Sequence, residues 1–265
     1  MIIEIIITLV LAFLIAIWFY RQRRDSIEIL QVEFQSTLST IHELVEELQP
    51  IIIRGNIFPQ ILSREKLSEI PRLDNFPLRI PSDAPHLLNY RQNPGSVLPD
   101  EQATGIPILD PDCARTLAKE LSIELWATHN LADIFSELSG VFSSVSSKRT
   151  SVVLGGCGMK RATSIYTCII PTEGKYILSL VNKRSESFLP ANWKFRYPAN
   201  LTVNDTPLVG EIQFIDIILR PGSMAILPSH CIYSLTPASS AQFHGAVIIE
   251  IDSPISNVGT FLDMF

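Results

Sequence analysis

The chain opens on twenty residues, Met1–Tyr20, that are apolar at almost every position, with Glu4 the only charge. A helix of that length rises about 30 Å, the hydrocarbon thickness of a bilayer. Thirteen of the twenty are Ile, Leu, Val or Phe, which at ~0.5 kcal/mol each favours insertion by roughly 6 kcal/mol. Trp18 and Tyr20 close the run, where amphipathic rings prefer the membrane interface, and Arg21, Arg23 and Arg24 follow. A cleaved signal peptide would start basic, carry a shorter apolar stretch and end in small residues, and this segment does none of these. The pattern predicts a single transmembrane anchor over 1–20. The arginines then hold the rest of the chain on the cytosolic side.

Over 21–53 the pattern changes. After the basic cluster, apolar residues recur at Ile27, Leu30, Phe34, Leu38, Ile41, Val45 and Leu48, in steps of three or four. That spacing puts them on one stripe and predicts an amphipathic stalk helix, ended by Pro50. Asp25–Ile53 holds six acids and no Lys or Arg, so the helix is expected to dock on a basic partner or to pack on its own domain. His42 falls on the polar side. From Pro50 to Pro111 there are ten prolines. Each fixes φ and removes a donor, so 54–105 is predicted to be an extended arm over a surface.

The period changes again beyond Ile106. Ala114, Leu117, Leu121 and Leu125, then Leu131, Ile134, Phe135, Leu138, Val141 and Phe142, predict two helical stretches. After Lys148 the apolar runs are short and bounded by Gly, Pro and Ser. They predict strands at Ser151–Leu154, Ser164–Ile170, Tyr176–Val181, Glu211–Leu219, Met224–Leu227, Cys231–Ser234 and Gly245–Ile251. Short strands with this punctuation suggest a sandwich or barrel. The Gly155–Gly158 run lacks phosphate-loop spacing and reads as a flexible turn.

Composition narrows the function. Charged residues make up 18%, the net charge is -6 and the pI is near 5.4, which argues against a nucleic-acid partner. A mean hydropathy of +0.25 argues against disorder. Cys113, Cys157, Cys168 and Cys231 form no CxxC pair, so neither a zinc ribbon nor a disulfide scaffold is expected. Asn200-Leu-Thr202 and Asn204-Asp-Thr206 match the glycosylation pattern, against the orientation that the arginines give. Lys148, Arg149, Lys160, Arg161, Lys183, Arg184, Lys194 and Arg196 give the β region a local positive excess. It reads as ordinary solvated charge, or as a patch for an acidic protein surface or anionic lipid headgroups.

The run Leu219–Ser229, LRPGSMAILPS, then CIYSLTP and a final apolar strand, resembles the C-terminal core of double-stranded β-helix proteins. These include cupins and the Fe(II)/2-oxoglutarate oxygenases, especially the prolyl-hydroxylase-like branch, and IPILDPDCARTLAKEL at 106–121 resembles that branch's opening strand and helix. The resemblance implies an α+β chain whose 106–265 domain is a jelly-roll-like barrel with flanking helices. It also implies an iron site of two histidines and one carboxylate. None of the five histidines has an acid two residues on, and no His or Asp lies between Asp133 and Asp205. Tyr233 stands in the distal-histidine slot, and residues 221–265 hold no Arg or Lys for a cosubstrate carboxylate.

No metal, cofactor or small-molecule substrate is therefore expected. The sequence leads to a non-enzymatic protein that tethers a bilayer to other structural proteins of an assembly. An internal-membrane protein beneath the shell of a large DNA virus fits, with the domain on the cytosolic or shell-facing side. The alternative is a membrane-tethered hydroxylase of the prolyl-hydroxylase type with altered ligands.

Overall fold

In a computed structural model of the protein, the described residues are 2–55, 62, 66–67, 77–79, 85–87, 108–109, 111–140, 145–238 and 244–262. The apolar opening forms α1 (Ile2–Tyr20). Eleven of its large apolar side chains, from Ile3 to Trp18, are exposed, and only toward its end does Ile17 become buried. The stretch from Ile3 to Trp18 rises about 24 Å, and among the described residues no helix is long and apolar enough to cross a membrane.

The stalk expected over 21–53 is not a separate helix. Leu30–Glu33 is a strand, β1, and only Phe34–Glu46 is helical, α2. The chain turns back through Leu48, at φ 53°, and runs as β2 (Ile51–Arg54) parallel to β1. Leu30, Phe34, Ile41 and Val45 all point into the domain's own core, so the helical stripe is a core stripe shared between a strand and a helix. His42 is exposed, four residues from Glu46, as its polar position implied. Most of the proline-rich arm lies outside the described residues. Within it β3 (Pro77–Arg79) pairs antiparallel with β4 (Pro85–Leu87) and with β5 (Ile108–Leu109).

The first helical stretch is two helices, α3 (Pro111–Glu120) and α4 (Ile123–Asn130), because Ser122 at φ 53° interrupts it. The second is α5 (Ala132–Ser139). Then come β6 (Ser147–Leu154), β7 (Cys157–Arg161), β8 (Tyr166–Glu173), β9 (Tyr176–Val181), β10 (Phe214–Leu219), β11 (Ser223–Pro228), β12 (Ile232–Pro237) and β13 (Gly245–Asp252). A last helix, α6 (Pro254–Leu262), closes the described chain.

The protein is α+β with most of its core in two sheets. One has the order β1-β2-β11-β8-β13-β6 and the other β10-β9-β12-β7. The pairing is nested: β6 with β13, β7 with β12, β8 with β11 and β9 with β10, all antiparallel. The chain thus goes out through β6–β9 and returns through β10–β13 along its own path. Side chains alternate faces along a strand, so Ile169, Ala225, Leu227 and Ile248 meet Leu178, Leu180, Tyr233 and Leu235 between the sheets. The opposite set, including Cys168, Ile226, Val247 and Ile249, packs under Ile41, Leu117, Ile134 and Phe135. Helices α2–α5 therefore cover the outer face of the larger sheet, and its central strands are buried on both sides.

Candidate functional sites at the foot of the apolar helix and at Tyr233

The apolar helix ends on the sandwich, not on a flexible tether. The Tyr20 hydroxyl donates to the Thr163 carbonyl, and the Ser229 hydroxyl donates to the Tyr20 carbonyl at 3.3 Å. The Tyr20 ring meets His230 edge-on, with centroids 4.8 Å apart. On its other side is Gly259 of α6, where an added Cβ would lie 2.6 Å from Tyr20 Cε1. His230 follows the Pro228-Ser229 turn. It is half-buried at the turn after β11, at φ 64°, with its N–H donating to Ala162 O at 2.6 Å. Cys231 beside it is a buried thiol, and burial raises its pKa to about 11.

The arginines expected to flank a membrane divide their work. Arg23 is 8% exposed at its side chain and pairs with Glu186, which also takes Arg161 at 3.1 Å. Arg23 further donates to His230 O at 2.9 Å and to Val181 O at 3.4 Å. Lys183 donates to Arg23 O at 3.1 Å and to Asp25 at 2.7 Å. The hydrogen bond and charge of Lys183 hold the Asp25 carboxyl below its ordinary range. Arg24 reaches Glu47 at 3.4 Å in an exposed pair. The Gln49 side chain bridges Glu28 N and Ser26 O, tying the same linker to the end of α2. Trp18 and Arg21 remain exposed. The sequence reads these five residues as the flank of a membrane anchor, and the fold adds that Tyr20 and Arg23 bond the end of the helix to the domain.

Around this foot is a cavity of about 630 Å³, lined by Arg21, Arg23, Arg161, Thr163, Lys183, Glu186, Lys194, His230 and Thr260. A second, of about 580 Å³, continues it along Arg21–Arg24 and Lys183.

Tyr233 is fully buried on β12, and its cross-strand partner on β7 is Lys160. The Lys160 ammonium stands 5.3 Å from the Tyr233 ring centroid. The Tyr233 hydroxyl makes no bond of strict hydrogen-bond geometry, and Lys160 acts on it by charge together with a weak side-chain contact. Burial pushes the Tyr233 pKa up, with Lys160 pulling against it. Burial works to lower Lys160, but Tyr233, Cys157 and Glu250 outweigh it and the pKa rises. Burial also raises Cys157. Burial keeps both the phenol and the thiol protonated near neutrality. Lys160, Cys157 and Glu250 line a small cavity of about 100 Å³ with Arg115, Ser151 and Phe195.

Lys160 was invisible as a site residue because β7 read as part of a glycine turn. Gly158 is required there for another reason. An added Cβ would come within 2.8 Å of Phe195 Cα, where Met159 and Phe195 exchange backbone contact through Phe195 N–H to Met159 O at 2.8 Å. Among the described residues no group of three or more His, Cys, Asp or Glu side chains is arranged to hold a metal ion.

Much of the positive excess in the β region is paired within the fold. Arg149 meets Asp252 at 2.7 Å and Glu250 at 3.7 Å, Lys148 lies over the Phe135 ring, and Arg196 grips Asp205 through two bonds. Asn200 and Asn204 are exposed on the loop that this grip closes. Compared with known proteins, the chain matches no family model and none of the curated sequences.

Proposed function

We propose that this is a membrane-anchored, non-enzymatic structural protein, in which α1 enters a bilayer and holds the two-sheet domain directly against its surface. The observation that carries this is the contrast within one helix. Its side chains from Ile3 to Ile15 are exposed and, apart from Glu4 and Thr8, apolar, while Ile17 and Tyr20 are packed onto the sandwich. Water solvates such a surface poorly, and lipid solvates it well. Tyr20 and Arg21 fall where the apolar stretch meets the polar domain, which is where an interface residue and a headgroup contact belong.

The fold supports a double-stranded β-helix. A strand run wound against its own return, β6–β9 on β13–β10, is the pairing such a barrel requires. Within that reading Tyr233 occupies the distal ligand slot and faces Lys160. A protonated ammonium opposes a divalent cation electrostatically. The alternative, a tethered Fe(II)/2-oxoglutarate hydroxylase with altered ligands, has to bind its metal beside that charge. A fold of this kind does not by itself carry the activity.

A tether of this form suits an assembly in which a membrane lies beneath a protein layer, such as the inner membrane of a large DNA virus, with the domain facing the layer. In-membrane crosslinking of the full chain tests it, together with iron analysis and succinate release from 2-oxoglutarate. The expected result is a discrete crosslink to a structural protein, without stoichiometric iron or succinate. Iron at one equivalent with succinate release overturns the reading.

A further inference from the structure

We propose that the cavity at the foot of α1 is a binding site for the phosphorylated headgroup of an anionic membrane lipid. The proposal rests on the reading of α1 as a bilayer anchor and gives that anchor a lipid preference.

Three observations converge on it. The first is charge. Five cationic side chains, Arg21, Arg23, Arg161, Lys183 and Lys194, line the cavity against one carboxylate, Glu186. Arg23 is taken up by Glu186 and by the His230 and Val181 carbonyls. Arg161 shares the Glu186 carboxylate at 3.1 Å, and Arg21, Arg161 and Lys194 each present an exposed cationic side chain to the cavity, with Lys183 at the rim beside Asp25. Guanidinium groups offer forked donors to phosphate oxygens, and lysine supplies a point charge.

The second is depth. The cavity begins at Arg21, one residue beyond the end of α1, so an inserted α1 sets it in the headgroup layer. Phe261, which follows the cavity-lining Thr260 on α6, is 58% exposed, and α6 approaches Tyr20 through Gly259. An apolar ring and an apolar helix border a basic cavity, which is the division of a lipid into chain and headgroup. A free phosphate or a soluble inositol phosphate would use the charge alone. The apolar border favours the lipid.

The third is size. A volume of about 630 Å³ lies in the range of sites that enclose a small ligand.

The test uses the full chain in detergent, reconstituted into nanodiscs of phosphatidylcholine with a minor fraction of phosphatidylinositol 4-phosphate. Native mass spectrometry then reads the lipids retained. The phosphoinositide is expected to be enriched over phosphatidylcholine. Arg161→Gln with Lys194→Gln should cut that enrichment roughly 10–30-fold, from the loss of two charges at an anionic surface. Lys194→Glu alone, at an exposed loop position where folding is not at stake, should also reduce it. Equal retention of both lipids by an inserted protein, or enrichment unchanged in the variants, overturns the headgroup site and leaves the anchor standing. Displacement of the lipid by inorganic phosphate or inositol trisphosphate at equal concentration overturns the commitment to a lipid. Failure of the wild-type chain to enter nanodiscs at all overturns the anchor reading, and this site with it.

Discussion

Tyr20, the last residue of the apolar helix, packs its ring edge-on against His230, 4.8 Å between centroids at 60°. The two residues lie in opposite parts of the sequence, so the contact joins the apolar helix to the turn between β11 and β12.

Gly259→Ala tests that contact. In the middle of α6 alanine should gain about 1 kcal/mol of helix propensity. Its Cβ, however, would lie 2.6 Å from Tyr20 Cε1, and overpacking of this kind costs about 1–3 kcal/mol. Net destabilisation by thermal melting is expected in the wild-type background. In a Tyr20→Ala background the same substitution should become neutral or stabilising. A cycle with no change of sign or size between backgrounds would show that Tyr20 does not press on Gly259.

Arg23→Ala should cost roughly 2–4 kcal/mol, because it removes a nearly buried guanidinium from Glu186 and from two carbonyls. Arg23→Lys should recover only part of this, since one ammonium cannot span the same three acceptors. Arg24→Ala, in an exposed pair with Glu47, should cost under about 1 kcal/mol. Denaturant midpoints of the three variants give the ranking, and equal losses at Arg23 and Arg24 contradict it.

Tyr233→Phe is expected to leave stability unchanged or to raise it by up to about 1 kcal/mol. It removes a buried hydroxyl that has no partner in hydrogen-bond geometry. A fall of more than about 1 kcal/mol in thermal denaturation would mean that the hydroxyl is bonded in solution.

Stability should decline at alkaline pH. Burial raises the Cys168 thiol from 9.0 to about 12 and the Cys231 thiol from 9.0 to about 11. Both are neutral in the folded protein, so their contribution is fully present below about pH 9. It is lost as pH rises toward 11 and then 12, because the unfolded chain ionises first. Each pH step above 9 then costs roughly 1.4 kcal/mol per thiol. Cys168→Ala should flatten the alkaline limb of a melting-temperature profile. On the acid side, the hydrogen bond from Arg196 and those from Thr202 hold Asp205 well below the carboxylate range. Its support is present above about pH 4 and is lost as pH falls below that, and Asp205→Asn should remove this slope.

The sequence revealed what local periodicity encodes. The apolar helix is seen at once, and Tyr176–Val181 is found to the residue, since a strand buried on both faces reads as a continuous apolar run. The elements missed are those whose residues answer to distant neighbours. Gly158 looks like a turn residue but admits the Phe195 backbone against a strand, and Gly259 looks like a helix breaker but admits Tyr20. Leu30 and Phe34 share a helical spacing, yet they belong to a strand and a helix because Ile51–Arg54 offers Leu30–Glu33 a parallel partner. At the second site, Tyr233 stands out in the sequence only through the resemblance, as the residue a few positions beyond Pro228-Ser229. Its partner Lys160 became visible only through cross-strand register.

The central claim is that α1 lies in a bilayer as a fixed part of the folded domain. Sodium carbonate extraction of membranes carrying the full chain tests it most directly, because an inserted helix stays with lipid even when alkali unfolds the sandwich. The account predicts that the protein remains in the membrane pellet after both high salt and carbonate. Release into the carbonate supernatant would contradict it.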